Sequence, residues 1–184
     1  SNVVSVMYRS TLRKAGTVFF ENEENAQFFL HKTIISAQQM KVLPGAGINL
    51  DEYPYVPMQD DGVCSFLFVG RIMKEKGVDE FFAAAKTIKA EFGEKVTFDV
   101  VGFYEDAYKD TVDQLVADGV INFHGFQTDV HPFYEAADCV VLPSYHEGMS
   151  NVLLEGAATG RALITSDIPG CREAVEDGVS GYLC

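Results

Sequence analysis

The order of apolar and polar positions along the chain predicts strands that alternate with helices. Short apolar, β-branched runs are separated by longer stretches in which apolar residues recur at helical spacing. The predicted strands are residues 17–21, 41–43, 65–69, 97–101, 121–124, 139–142, 162–165 and 181–183. The predicted helices are residues 4–14, 24–33, 78–92, 107–117, 130–137, 152–158 and 171–175. This alternation is typical of a doubly wound α/β domain.

Two of these elements indicate which surfaces are buried. In the predicted helix from residue 78, one face is apolar and consists of Val78, Phe81, Phe82, Ala85 and Ile88. The predicted strand Cys139–Leu142 is apolar at every position, which favours burial on both faces in a parallel sheet. We therefore predict an α/β fold with a Rossmann-like doubly wound parallel sheet.

The alternation breaks at residues 51–62, which contain two prolines and the acidic pair Asp60 and Asp61. We interpret this stretch as a linker. It would join an N-terminal piece, residues 1–50, to a main domain that comprises residues 63–184.

The net charge of the chain limits the classes of ligand that it can bind. The 184 residues include 14 Lys and Arg and 27 Asp and Glu, for a formal net charge of −13. Such a surface disfavours nucleic acid and anionic membranes, whose phosphates need a basic footprint. A phosphate-bearing ligand would have to be held by a local cluster of cations and amides. No apolar run reaches the ~20 residues that cross a bilayer. The cysteine pattern, which favours reduced thiols, predicts a cytoplasmic location.

Motifs for metal chemistry are missing from the sequence. The four cysteines form no CxxC pair, and Cys64 and Cys139 lie in apolar runs, which predicts buried, reduced thiols. No D-x-D pair, G-x-S-x-G elbow or H-E-x-x-H motif occurs. We predict no metal site.

The first candidate motif lies at residues 68–77. A strand ends in Gly70, and a loop with the cations Arg71, Lys74 and Lys76 leads into a helix. Loops at the carboxyl ends of parallel strands bind ligands, and a guanidinium fork or an ammonium group suits phosphate. An ordinary solvated loop explains this motif equally well. The absence of GxGxxG disfavours an NAD-dependent enzyme.

The second motif, residues 143–155, follows the apolar strand. Its loop leads into a helix that begins near Asn151, so the amides of Gly148, Met149, Ser150 and Asn151 form an anion site. Glu147 precedes that helix and Glu155 lies a turn inside it. Two carboxylates beside an anion site suit the hydroxyls of a sugar and a ribose, whereas a capped surface helix is the plainer alternative.

Two weaker motifs also end in glycine-containing turns. Gly45 and Gly47 follow a short strand, and Gly125 follows His124 at the end of another strand. Taken alone, each is more typical of a plain turn than of a ligand site.

Together these motifs resemble the family 4 glycosyltransferases, a retaining group with the B-type fold of two Rossmann-like domains. The resemblance rests on residues 44–51, 68–77, 124–125 and 137–155 in this order and spacing, and residues 165–173 and 177–183 extend it almost to the last residue. The most diagnostic feature is the pair of glutamates eight residues apart, Glu147 and Glu155.

The resemblance implies a role for each matched position. Arg71 and Lys76 would hold the donor diphosphate and Glu147 the donor sugar, and these three are the catalytic candidates. Glu155 would accept the ribose hydroxyls. The other donor-binding positions are Gly45 and Gly47 in the interdomain cleft, Gly70, the nucleobase segment Gly125, Phe126 and Gln127, and the loop Gly148, Met149, Ser150, Asn151 and Val152.

The resemblance also implies substrates. The donor would be a UDP- or GDP-linked sugar, with no further cofactor, and the acceptor a glycan or lipid-linked molecule, with the full-length enzyme at the inner face of the membrane. Residues 1–50 would be the end of the acceptor domain. We expect a fragment truncated at both ends, inactive alone, marginally stable and with an exposed apolar face. A nucleotide-sugar epimerase or phosphorylase of the same architecture and a non-catalytic α/β binding module stay open.

Overall fold

The computed structural model describes residues 2–43, 45 and 47–184, which form two parallel sheets with helices packed on them. The strands are β1 (Val18–Phe20), β2 (Met40–Val42), β3 (Cys64–Val69), β4 (Val96–Val101), β5 (Asn122–Gly125), β6 (Cys139–Leu142), β7 (Ala162–Thr165) and β8 (Gly181–Leu183). The helices are α1 (Asn2–Leu12), α2 (Glu23–His31), α3 (Val78–Phe92), α4 (Lys109–Ala117), α5 (His131–Ala136) and α6 (Asn151–Thr159).

The larger sheet has six parallel strands in the order β5-β4-β3-β6-β7-β8. Strand β3 comes first along the chain. Strands β4 and β5 follow on one side of it, and β6, β7 and β8 then lie on the other side. The strand order therefore reverses between β3 and β6, and the crevice outside the carboxyl ends of these two strands is where such sheets bind ligands. This topology confirms the predicted Rossmann-like fold.

The main core lies between this sheet and its helices. The predicted apolar face of α3 is confirmed, because Val78, Phe81, Phe82 and Ala85 are all buried. The ring of Phe81 packs 5.4 Å from that of Phe68 on β3. Strand β6 is buried at three of its four positions and partly buried at the fourth, as its apolar sequence predicts.

The N-terminal piece has a small core of its own. Strands β1 and β2 pair in parallel, and α1 and α2 pack beside them. The buried residues of this core are Phe20, Ala26, Ile34 and Ile35. Asn22 lies between β1 and α2 and caps α2, because its side chain accepts a hydrogen bond from the backbone N–H of Asn25.

Residues 51–62 run along the surface of the main domain. Tyr53 stacks on His131 at a centroid distance of 4.4 Å, and the Val56 N–H donates to the Thr159 carbonyl. The buried guanidinium of Arg161 donates to the carbonyls of Ala137, Thr159 and Val56.

Two sequence predictions are wrong. The predicted helix at residues 171–175 is a single 3₁₀ turn, Arg172–Ala174, because the backbone is already extended at Val175, whose N–H bonds to the Arg172 carbonyl three residues back. Cys64 is exposed, because it opens β3 at the rim of the sheet, whereas Cys139 is buried.

Among the described residues, no helix is long and apolar enough to cross a membrane.

Candidate functional site

The loops that follow β3 and β6 meet at the switch point and bind each other. The backbone N–H of Tyr145 and the hydroxyl of Ser144 both donate to the Glu75 carbonyl, at 2.9 and 3.0 Å. Gly77 has a left-handed conformation (φ 67°), and the Pro143 carbonyl occupies the space that a side chain would need. The two loops therefore form one rigid wall of the crevice.

The two predicted charged residues of this wall form an ion pair. Lys76 Nζ lies 2.5 Å from Glu147 Oε1, and the two side chains are only 24% and 11% exposed. Arg71 lies exposed at the start of the same loop, next to Gly70, whose N–H bonds to the Val101 carbonyl at the end of β4. The structure thus brings together the cation of one motif and the carboxylate of the other.

Helix α6 begins at Asn151, as predicted, four residues after Glu147. Ser150 is the N-cap, with its hydroxyl accepting from the Leu153 N–H. Its own N–H donates to the Gly170 carbonyl at 2.8 Å, so the prediction that the Ser150 amide belongs to the anion site is wrong. Asn151 and Val152 occupy the first turn, where amide groups have no partner within the helix. A helix N-terminus of this kind favours an anion by about 0.3–1 kcal/mol.

Glu155 lies one turn inside α6 and belongs to a small network of tyrosines. Its Oε2 accepts a hydrogen bond from the buried Tyr134 hydroxyl at 2.8 Å. Burial raises the pKa of Tyr134, and burial together with the Glu155 charge raises the pKa of Tyr53. The Tyr134 phenol therefore remains a hydrogen-bond donor near neutral pH and holds the Glu155 carboxylate in place as an acceptor.

The N-terminal piece reaches the same loop. The Asn22 side chain donates to the Gly148 carbonyl at 2.9 Å, and the Glu21 carboxylate fills the space beside the Gly148 Cα. Gly45 lies against the Met149 side chain, where a Cβ would not fit. A cavity of about 470 Å³ lies between this piece and Gly148.

Gly47 is exposed and has open space around it, so only one of the two predicted cleft glycines makes a close approach. Pro44 and Ala46, which belong to the same motif, lie outside the described residues.

The predicted nucleobase segment lies at the far edge of the sheet. Gly125 ends β5, and its carbonyl accepts from the Gly102 N–H at 2.9 Å. Phe126 is 68% exposed, and the Gln127 amide bonds back to the His124 carbonyl. Strand β5 is three strand spacings from β6, or roughly 14 Å, so this segment does not contact the ion pair.

Sequence reasoning did not identify Asn22, Tyr53 or Tyr134 as part of the site. Tyr134 follows helical spacing like any core residue, and its hydroxyl has no signal in the sequence. Asn22 carries an N-cap signature, which explains the bond that its oxygen accepts but not those that its amide nitrogen donates. In the part of the chain that the structure describes, no group of three His, Cys, Asp or Glu side chains could hold a metal ion.

The sequence of this chain is similar to those of several known enzymes. The chain is 27% identical over 191 residues to the N,N'-diacetylbacillosaminyl-diphospho-undecaprenol alpha-1,3-N-acetylgalactosaminyltransferase of Campylobacter jejuni, an alignment that covers 97% of this chain and 50% of that enzyme. It is 32% identical over 142 residues to a glycogen synthase of Mycobacterium tuberculosis, covering 75% of this chain and 34% of the synthase.

Solved structures share the fold. Anabaena Alr3699/HepE, in complex with UDP and glucose, superposes with a TM-score of 0.77 at 21% identity, over 98% of this chain and 53% of that one. The pneumococcal O-GlcNAc transferase GtfA, in complex with UDP and GlcNAc, superposes with a TM-score of 0.75 at 21% identity, over the whole of this chain and 36% of that one.

The chain therefore spans about half the length of the Campylobacter enzyme that it matches. Residues 64–184, which run from the first strand of the large sheet to the last residue and include both loops of the switch point, match the family model described as glycosyl transferases group 1. The chain belongs to the group 1 glycosyl transferases.

Proposed function

We propose that this chain is the sugar-nucleotide-binding half of a retaining glycosyltransferase, which moves a sugar from a nucleoside-diphosphate sugar to a glycan or lipid-linked acceptor. One observation carries the proposal. The Lys76–Glu147 ion pair stands before the N-terminus of α6, and a second ordered carboxylate, Glu155, lies one turn inside that helix. A cation, free amides and two carboxylates at a switch point match the parts of a sugar nucleotide.

Each part of the donor has a complementary group. The diphosphate lies against Arg71, Lys76 and the first-turn amides of α6. The sugar hydroxyls face Glu147 and the ribose hydroxyls face Glu155. The nucleobase extends toward Phe126 at the β5 edge. The likeness to structures that hold UDP supports UDP as the first nucleotide to test.

The chemistry follows from the charges. The bond between the anomeric carbon and the diphosphate oxygen breaks, and its electron pair stays on the diphosphate. The acceptor oxygen bonds to the same face of the anomeric carbon, and its proton goes to a diphosphate oxygen. Arg71, Lys76 and the helix amides stabilise the charge on the leaving group, and one such donor is typically worth about 3–4 kcal/mol of barrier.

Acceptor and location are the further parts of this proposal. The Campylobacter relative is named for a lipid-linked acceptor, which supports an acceptor of that class here. The full-length enzyme would then work on the cytoplasmic side of a membrane. Donor binding needs no metal ion, because two cations and the helix amides already face the diphosphate.

Calorimetric titration of the chain with UDP tests the anion site. Arg71→Ala should weaken UDP binding tenfold or more, because a charged hydrogen bond to phosphate is lost. Lys86→Ala is the matched control, since it removes one exposed cation from α3 away from the crevice and should leave UDP binding unchanged.

The same UDP titration, repeated with a chelator, tests whether binding needs a metal ion. The wild-type affinity should not change. A tenfold loss on chelation would refute the metal-free site, and equal losses for Arg71→Ala and Lys86→Ala would refute the placement of the diphosphate.

A further inference from the structure

Asn22 makes hydrogen bonds in two directions from a buried position. Only 5% of it is exposed. Its Oδ1 accepts from the Asn25 N–H at 2.9 Å, which caps α2. Its Nδ2 donates to the Gly148 carbonyl at 2.9 Å, across a separation of 126 residues. One side chain thus connects the N-terminal piece to the loop before α6.

The helix cap does not explain the second bond. An N-cap needs only an acceptor, and Ser, Asp and Asn serve almost equally well. The donating nitrogen is the property that distinguishes Asn22 from those residues. This nitrogen donates to the Gly148 carbonyl at 2.9 Å and, at the longer distance of 3.4 Å, to the Glu147 carbonyl, and both lie within the segment that faces the proposed diphosphate.

The bond to this carbonyl fixes a peptide plane. The peptide group is planar and trans, so the Met149 N–H points opposite to the Gly148 carbonyl oxygen. Glycine leaves its neighbouring peptides freer to rotate than any other residue. The Gly170 backbone lies against the same carbonyl, where a Cβ would not fit. Asn22 and Gly170 therefore hold between them a peptide that would otherwise turn.

We propose that Asn22 is a positioning residue of the donor site: by holding the Gly148 carbonyl, it aims the Met149 amide at the donor diphosphate. The assignment rests on the proposed function. It also makes donor affinity depend on the N-terminal piece, because the amide is set by a residue outside the domain that binds the nucleotide.

Two substitutions separate this role from helix capping. Asn22→Asp keeps an acceptor for the Asn25 N–H but, as a carboxylate, has no donor for the Gly148 carbonyl. Asn22→Ser also keeps the acceptor, but its single hydroxyl sits on a shorter side chain and replaces the Asn22 Nδ2 that reaches this carbonyl. Calorimetry should show UDP binding weakened about five- to tenfold in both variants, the value of one lost hydrogen bond. The neutral serine variant shows whether the added charge of aspartate contributes.

Gln39→Glu is the matched control within the N-terminal piece. The Gln39 amide nitrogen donates to the carbonyls of Leu12 and Ala15, and neither lies at the donor loop. This variant loses the same kind of donor. It should lower the melting temperature without changing UDP affinity.

A spectroscopic readout reports on the amide itself. In a sample labelled with ¹⁵N-methionine, UDP should shift the Met149 amide resonance in the wild type and in Gln39→Glu. The shift should be much smaller in Asn22→Ser. The Met149 resonance is identified as the one that is missing from the spectrum of the Met149→Leu variant.

The outcomes separate the two proposals. If the wild type binds no nucleoside diphosphate, the proposed function fails and this assignment fails with it. If the wild type binds UDP and both Asn22 variants bind it equally well, only the assignment is overturned. A loss confined to Asn22→Asp, or an unchanged Met149 shift in Asn22→Ser, also overturns it.

Discussion

Glu147 and Glu155 have the same side chain in different surroundings. Glu147 is neutralised by Lys76 at 2.5 Å, whereas Glu155 is held by the Tyr134 hydroxyl and has no cation within an ion-pair distance among the described residues. The first carboxylate can therefore exchange partners when a ligand arrives. The second is fixed before binding and offers its remaining lone pairs to hydroxyl groups.

We expect the two glutamates to respond differently to the same substitution. Glu155→Gln should weaken UDP and a UDP-sugar alike, because both carry ribose. Glu147→Gln should weaken only the UDP-sugar, and it should leave UDP binding unchanged or tighter, since Lys76 is released from its partner. A carboxylate–hydroxyl bond is worth about 1.5–3 kcal/mol, so calorimetry should resolve ten- to hundredfold effects.

Glu91→Gln, on the exposed end of α3, is the control for loss of one negative charge and should change neither affinity. If Glu147→Gln weakened UDP as much as Glu155→Gln does, the sugar would be misplaced. The site would then be better described as a generic nucleotide site.

Residue types were predictable from the sequence, but their partners were not. Arg71, Lys76, Glu147 and Glu155 stand out because charged residues follow strand ends and glycines. Lys76 and Glu147 are 71 residues apart, and nothing in their spacing predicts that they meet. The pairing depends on the reversal of strand order between β3 and β6, which is a property of the whole sheet.

Among the elements, the two crevice loops depend on a glycine for their contact. Gly77 and Gly119 have the same left-handed conformation, each with φ of 67°. The Pro143 carbonyl lies where a Cβ on Gly77 would be, whereas nothing lies within 4 Å of a Cβ on Gly119. Alanine substitutions at these two glycines therefore separate two contributions to the loss of stability. Both substitutions strain the backbone, but only that at Gly77 also pushes the two loops apart.

Alanine at each position should therefore have unequal effects. Gly119→Ala should lower the free energy of unfolding by about 1 kcal/mol, from strain alone. Gly77→Ala should lower it by a further 1–3 kcal/mol or so, because the loops must separate, and should also weaken UDP binding. Urea denaturation gives the first quantity and calorimetry the second. Equal stability losses would show that the loops are not in tight contact.

Elements with strong periodicity were predicted well, and elements set by distant contacts were not. The helix Val78–Phe92 was predicted to the residue, because apolar spacing and a preceding glycine define it. The segment at residues 51–62 has no periodicity, and its course depends on Tyr53 meeting His131 and Val56 meeting Arg161. The helix predicted at residues 171–175 was wrong, because the backbone becomes extended at Val175 after a single 3₁₀ turn.

At the scale of the whole molecule, two of the exposed apolar surfaces bear on association. On α1, Val3, Val6 and Met7 are 61–69% exposed. Beside β7 and β8, an open cavity of about 520 Å³ has a largely apolar lining, in which Val179 and Tyr182 are 74% and 65% exposed. Contiguous apolar surface of this kind promotes association, although the net charge of −13 opposes it.

We expect the isolated chain to self-associate and to be only marginally stable, because these surfaces have no cover within the described residues. Light scattering at increasing salt should show a rising average mass, since salt screens the charge repulsion but leaves apolar contacts intact. Val6→Glu should reduce the association, whereas Ser10→Glu, which adds the same charge at another exposed position of α1, should reduce it less. A strictly monomeric chain with a high melting temperature would contradict the prediction. Equal effects of the two substitutions would assign the change to charge rather than to the apolar surface of α1.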